Sequence, residues 1–197
     1  MKNNTLKILL LILTLTIISC KQEFEAVLET DYIIVEVDYG LDNYTKNIRK
    51  KSEPIIIKER NIVIINVDKN GQIKIEGNVV EDSLIVTELK KYIISNPENK
   101  QMPFTTEKEF EYSGNVVMNK NLLISAKFNQ ELDYKKYSEI RNKIYSSFNE
   151  VRNEFSIKTF NKTLVELIHS SEQIDNLKWN ELKQIFPIRY SEIIGEN

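Results

Sequence analysis

A stripe of apolar side chains between residues 134 and 155 constrains the fold of this chain more than any other feature. Its members recur at intervals of three or four residues, and they are Tyr134, Tyr137, Ile140, Ile144, Phe148, Val151 and Phe155. This spacing places all of them on one face of an α-helix of about six turns, and Asp133 precedes the stripe as an N-cap residue. The pattern predicts a long amphipathic helix that packs one face on a core.

A β-hairpin is predicted between residues 55 and 80. Its two runs of β-branched side chains, residues 61–67 and 72–80, flank a turn that ends at Gly71. Glycine readily adopts the positive φ that such a turn requires. The two runs are therefore expected to pair as antiparallel strands.

A shorter helix is predicted after the hairpin. Asp82 or Ser83 can cap its N-terminus. Ile85, Leu89 and Ile93 recur every four residues on one face, and Pro97 stops the helix.

Residues 98–119 contain Pro103, Gly114 and few periodic apolar positions, which predicts an ordered or semi-ordered excursion. The apolar residues 122–128 then predict a short buried strand.

The C-terminal part predicts a third helix over residues 171–186, which Pro187 stops, and a last strand or extended segment at residues 188–190. The order is β-hairpin, helix, strand, long helix and a C-terminal helical extension. Helices that cover one side of a sheet in this order predict an α+β domain of two layers.

The N-terminus predicts export. Residues 1–7 carry two lysines and no acid, and residues 8–18 are almost entirely apolar, which is typical of a signal peptide. Thirteen residues separate Lys7 from Lys21, whereas a spanning helix needs about 20. Ile17-Ile18-Ser19-Cys20 resembles the bacterial lipobox. The resemblance implies that residues 1–19 are removed and that Cys20 carries a lipid.

Cys20 is the only cysteine of the chain, so no intramolecular disulfide can form. The alternative interpretation is an inert thiol at the end of a leader or of a short membrane helix. Lys21 stands where lipoproteins retained at the inner membrane of enteric bacteria have aspartate. The expected location is therefore the cell envelope, facing the periplasm, with the outer membrane favoured and the inner membrane as the alternative.

The sequence predicts three parts. Residues 1–19 form the lipoprotein signal peptide, and residues 20–59 form an anchor-proximal segment with one extra strand at residues 31–39 and a charged linker. Residues 60–197 form the globular domain.

Composition and motifs point away from catalysis and from nucleic acid. The 27 basic and 29 acidic residues are interspersed, whereas phosphate binding needs a clustered positive surface. The chain has no Gly-rich phosphate loop and no metal-ligand spacing, and His169 is its single histidine. We therefore predict no catalytic residue, no metal and no cofactor, and we interpret His169 as a surface or packing residue.

Several segments resemble a known family in their order and spacing. They are residues 60–65 (RNIVII), residues 123–125 (LIS) followed by Tyr134, residues 148–154 (FNEVRNE), Phe160, and residues 185–192 (IFPIRYSE). Residues 148–154 resemble a helix signature of an aromatic residue followed by Asn-Glu-Leu-Arg-Asp-Glu. Residues 185–192 resemble a closing Ile-Tyr-Pro-x-Arg-Ile-Ser-Glu. The family is the ExbD/TolR biopolymer-transport proteins of the Bacteroidetes type, and residues 60–193 resemble its periplasmic part.

In that family a transmembrane helix with an aspartate works beside an ExbB/TolQ-type channel and energises a TonB/TolA-type partner. Residues 1–19 contain no Asp, Glu or His that could pass protons at membrane depth. The resemblance therefore implies the fold and a partner surface, but not the proton-driven step. It suggests a lipid-anchored accessory component of TonB/ExbB-type transport, with ExbB-like and TonB-like partners.

Periplasmic domains of this family dimerise, so a homodimer is expected as well. Residues 31–39 could add as a strand to another chain, or they could pair internally as a covering edge. Arg152 and Glu154 are candidates for partner contact by resemblance. The alternative for both residues is a helical salt bridge at the surface.

Two other functions remain open. The chain could be a lipid-anchored scaffold that binds cell wall or surface ligands, or its leader could stay uncleaved as a single membrane span of an ExbD-like subunit.

Overall fold

The computed structural model describes residues 58–195. The strands are β1 (Ile62–Val67), β2 (Ile73–Ile75), β3 (Asn78–Val80), β4 (Thr105–Phe110), β5 (Gly114–Asn119), β6 (Leu123–Asn129) and β7 (Tyr190–Gly195). The helices are α1 (Ile85–Ile93), α2 (Tyr134–Phe160), α3 (Leu164–His169) and α4 (Gln173–Ile185), and short 3-10 turns cover Glu59–Asn61 and Asp82–Leu84. The signal peptide, Cys20 and the strand predicted at residues 31–39 lie outside the described residues.

Five of these strands form the main sheet, in the order β3-β2-β1-β6-β7. Strand β2 pairs antiparallel with both β1 and β3, whereas β1, β6 and β7 run parallel. Apolar side chains from β1, β2 and β6 form one buried cluster with side chains of α1 and α2. On β1, Val63 and Ile65 are buried while Ile64 between them is exposed, so the helices cover one face of the sheet. The predicted α+β class is confirmed.

The predicted hairpin is confirmed as β1 and β2, and Gly71 adopts a φ of 79° in the turn between them. Residues 72–80 form two strands instead of the single predicted one. A second turn, with φ of 49° at Glu76 and 80° at Gly77, reverses the chain between β2 and β3. Glycine at the second of two positive-φ positions suits a two-residue hairpin turn.

Helix α1 buries the predicted face, Ile85, Leu89 and Ile93. The predicted cap is wrong, because no side chain caps either α1 or the 3-10 turn before it. The Asp82 carboxylate instead accepts hydrogen bonds from Lys136 and Lys143 of α2. Charged donors from a neighbouring helix occupy the oxygens that a cap would use.

The excursion predicted at residues 98–119 is ordered, but the strands within it were not predicted, since much of it forms the antiparallel pair β4 and β5. Few of its side chains are buried, so the strand periodicity is weak. Glu181 of α4 anchors the hairpin turn, because its carboxylate accepts from the backbone N–H groups of Tyr112 and Ser113 at 2.9 and 3.0 Å and from the Ser113 hydroxyl at 2.7 Å. This anchor is remote in sequence, and the local pattern does not reveal it.

Helix α2 is confirmed, and the Asp133 carboxylate caps it by accepting from the N–H groups of Lys135 and Lys136 at 2.9 and 3.2 Å. Four members of the stripe are buried, namely Ile140, Ile144, Phe148 and Val151, and Tyr137 and Phe155 are half-buried. Tyr134 was predicted in the stripe but is 78% exposed, and it is the first residue of the helix.

The third predicted helix is confirmed as α4, and the strand or extended segment predicted at residues 188–190 overlaps β7 only at Tyr190, where that strand begins. Helix α3 was not predicted, although its capping box is a signal that the sequence contains. Thr163 caps the N–H of Glu166, and the Glu166 carboxylate accepts from the N–H of Thr163. In residues 58–195, no helix is long and apolar enough to cross a membrane.

Candidate interaction surface

Strand β7 forms one edge of the main sheet. Its inner side pairs with β6 over six residues, and within residues 58–195 no strand pairs with its outer side. Ile193 and Ile194 are 54% and 60% exposed. An open edge with exposed apolar side chains can pair with a strand of another chain.

Two other strand edges in the described part of the chain are protected. Strand β3, at the opposite edge of the main sheet, is only three residues long. Strand β4 exposes the alternating charges Glu107, Lys108 and Glu109. Short strands and charged side chains both discourage edge-to-edge pairing. The β7 edge has six residues and contains neither Lys nor Pro.

Side chains of α2 hold β7 from the helix side. The Glu192 carboxylate accepts from the Tyr137 hydroxyl at 3.0 Å, from Arg141 Nε at 3.2 Å and from the Tyr190 hydroxyl at 2.9 Å. The ring of Tyr190 packs edge-on against Tyr145, with 5.4 Å between the ring centroids. We call β7 together with Tyr137, Arg141 and Tyr145 the β7 surface.

The tyrosines of the β7 surface stay protonated at neutral pH. Burial raises the pKa of Tyr190 far above its ordinary value, and its hydrogen bond to Glu192 raises it further. The pKa of Tyr137 is raised for the same two reasons, and burial raises the pKa of Tyr145. The hydroxyls of Tyr137 and Tyr190 therefore remain donors to Glu192.

The composition of the β7 surface suits recognition. Tyrosine and arginine are enriched at the centres of protein interfaces, where they supply large contact areas with polar ends. The pairing register places Ile194 opposite the buried Phe128, on the helix side, and Ile193 opposite the exposed Lys127, on the other face. A strand added to this edge would therefore find an apolar side chain on each face.

The two residues predicted for partner contact lie elsewhere. Arg152 is only 3% exposed, and its Nε and Nη2 donate to the Phe186 carbonyl at 3.1 and 2.7 Å. Its alternative interpretation, a surface salt bridge, is wrong for this reason. Glu154 is exposed and forms an ion pair with Lys90 of α1. The structure does not bring these two residues together into one site.

The other possible functional groups are the single histidine and clusters of side chains that could bind a metal. His169 is exposed at the end of α3. Among the described residues, no group of three or more His, Cys, Asp or Glu side chains could hold a metal ion.

Arg60 and Asn61, the two polar residues that begin the segment 60–65, have structural contacts. Arg60 donates to the Met102 carbonyl and lies 4.2 Å from the centroid of the Phe104 ring. Asn61 donates to the Lys120 carbonyl at 2.6 Å and accepts from the Phe104 N–H at 2.9 Å. These two side chains fasten the connection between α1 and β4, which is a structural task.

Comparisons of the chain with protein-family models, with curated proteins and with solved structures find no match.

Proposed function

We propose that this chain is a non-catalytic, lipid-anchored protein of the cell envelope that is accessory to TonB/ExbB-type energy-transducing biopolymer transport. Its β7 surface binds an extended segment of a partner by adding that segment as a strand. The open apolar edge of β7 carries this proposal, because within residues 58–195 it is the edge that has length, exposed isoleucines and a supporting aromatic cluster.

The family-like segments support the proposed ExbD/TolR-like arrangement by their positions in the domain. Residues 148–154 of α2 and residues 185–192 meet where Arg152 donates to the Phe186 carbonyl. Residues 60–65 and 123–125 fall largely on the neighbouring parallel strands β1 and β6. Proteins that share a fold are expected to resemble each other most in the segments that build the core. These segments contribute buried residues to the core of this domain.

The lipid at Cys20 belongs to the same proposal. A chain without Asp, Glu or His in residues 1–19 depends on an ExbB-like channel and a true ExbD-type subunit for the ion-driven step. The proposed role of this protein is then to hold or present a TonB-like partner on the periplasmic side of a membrane.

Site-specific photo-cross-linking in cells tests the proposal. A photoreactive amino acid replaces Ile194 on β7 or, as a matched control, Val79 on β3, which is 63% exposed at the opposite edge of the sheet. We expect the probe at position 194 to capture an ExbB-like or TonB-like protein and the probe at position 79 to capture neither. Intact mass of the purified chain establishes beforehand whether residues 1–19 are removed and Cys20 is acylated.

Other outcomes would overturn the proposal. Capture of cell-wall fragments or unrelated lipoproteins at position 194 would favour the scaffold function. Capture of only a second copy would assign the β7 edge to a homodimer and remove it as a partner site. A chain that retains residues 1–19 without lipid would favour a membrane-spanning subunit.

A further inference from the structure

A small cavity lies beneath the segment that leads into β7. Its walls come from the end of α1, the end of β5, the middle of α2 and residues 185–189, and most of them are apolar, including Phe148, Ile185 and Pro187. The cavity has room for about one water molecule, which excludes a larger ligand. Two polar side chains, Asn119 and Arg189, complete the wall.

Asn119 presents an acceptor without a donor. Its Nδ2 donates to the carbonyls of Tyr92 and Ile93 at 2.7 and 2.8 Å, which caps the C-terminus of α1 and fixes the orientation of the amide. The side chain is buried, and its Oδ1 accepts no hydrogen bond from the described residues. A buried acceptor without a partner costs free energy.

Arg189 presents the complementary group. Its Nη1 is buried and donates to no described residue. The two residues that carry this unmatched donor and this unmatched acceptor therefore line a single cavity that has the size of a water molecule. A buried water usually makes two to four hydrogen bonds to such groups.

We propose that this cavity is the site of a structural water that accepts from Arg189 Nη1 and donates to Asn119 Oδ1. The water links the C-terminus of α1 and the end of β5 to the segment that positions β7. This inference rests on the cavity and its polar atoms alone, so it stands or falls independently of the proposed function.

A crystal structure of the protein at a resolution that shows ordered water tests the inference. We expect one water within hydrogen-bonding distance of both Asn119 Oδ1 and Arg189 Nη1 in every crystal form. Arg189→Met should abolish that water, whereas Lys127→Met, a control at an exposed position on β6, should leave it in place. Persistence of the water in the Arg189→Met variant would contradict the proposed donor.

An empty cavity, or a direct hydrogen bond between Asn119 and Arg189, would overturn the inference. The wild-type structure decides between these outcomes even if the Arg189→Met variant fails to fold.

Discussion

Arg152 carries a positive charge into the interior of the domain. Burial lowers its pKa to about 10, so it is still protonated at neutral pH. In the described part of the chain it pairs with no carboxylate, and the Phe186 carbonyl accepts two of its N–H groups. Its guanidinium also lies 5.2 Å from the centroid of the Trp179 ring. The residue therefore joins α2 to α4 and to the segment before β7.

We expect Arg152→Ala to lower the free energy of unfolding by about 1–3 kcal/mol, because it leaves the Phe186 carbonyl without its donors and removes packing from Trp179. Urea unfolding measures the change. Lys91→Ala on exposed α1 surface is the control, with an expected change within about 0.5 kcal/mol. Wild-type stability of the Arg152→Ala variant, combined with loss of partner capture, would instead assign Arg152 to partner contact.

Helix α2 organises the domain mainly through its buried face. Ion pairs also connect it to α1, where Lys90 lies 3.2 Å from Glu150 and contacts Glu154 as well. Both glutamates are more than half exposed, so these pairs contribute little. The apolar contacts of Ile140, Ile144 and Phe148 with the sheet account for most of the stabilisation that this helix supplies.

We expect Phe148→Ala to destabilise the domain by about 3–5 kcal/mol, because the fully buried ring also lines the small cavity and its removal would enlarge it. Tyr134→Ala is the matched control on the same helix, since that ring is exposed, and its expected effect is within about 0.5 kcal/mol. Thermal unfolding compares the two. Equal melting temperatures for both variants would refute the buried face of α2.

Two charge clusters join elements that are distant along the chain or separated by a turn. Asp82 binds Lys136 and Lys143 of α2. Partial burial opposes ionisation of Asp82, but its hydrogen bonds to the two lysines lower its pKa overall. Asp175, in the first turn of α4, has its pKa lowered chiefly by a hydrogen bond from Lys162, 2.6 Å away. Both carboxylates stabilise the folded domain in their charged form.

Acid should therefore lower the stability of the domain in the pH range where Asp175 becomes protonated. Because the folded pKa of Asp175 lies below its ordinary value of 3.8, its contribution is complete above about pH 5 and disappears as the pH falls through the folded pKa. Asp175→Asn should lower the melting temperature at pH 7, and the difference from wild type should shrink towards about pH 2. A pH-independent difference would contradict the ion pair, and Glu98→Gln in an exposed loop serves as control.

Local patterns in the sequence were sufficient for elements whose side chains alternate between core and solvent. The hairpin turn at Gly71, the buried face of α1 and the capped helix after Asp133 are examples. The β4–β5 hairpin was not predicted, because Glu181, which anchors its turn, lies 69 residues from Tyr112 and 68 residues from Ser113. The buried position of Arg152 was not predicted, because the carbonyl that accepts its hydrogen bonds is 34 residues away.

The candidate site was predictable only in part. An extended segment was expected at residues 188–190, but nothing local indicates that it extends to Gly195 or lies at the edge of the sheet. The strand predicted at residues 31–39, which could either recruit another chain or pair internally, lies outside the described residues. The open edge at β7 follows from the strand order, which depends on long-range pairing.

Periodicity determines which face of a helix or strand is buried, because side chains project at fixed angles from a regular backbone. That information is local, and it was sufficient to predict many of the buried faces between Ile62 and Ile185. The neighbours of each strand and the partners of Arg152, Glu181 and Asp82 were decided by folding. A hydrogen bond between residues far apart leaves no spacing in the sequence, because many remote groups can supply the same donor or acceptor.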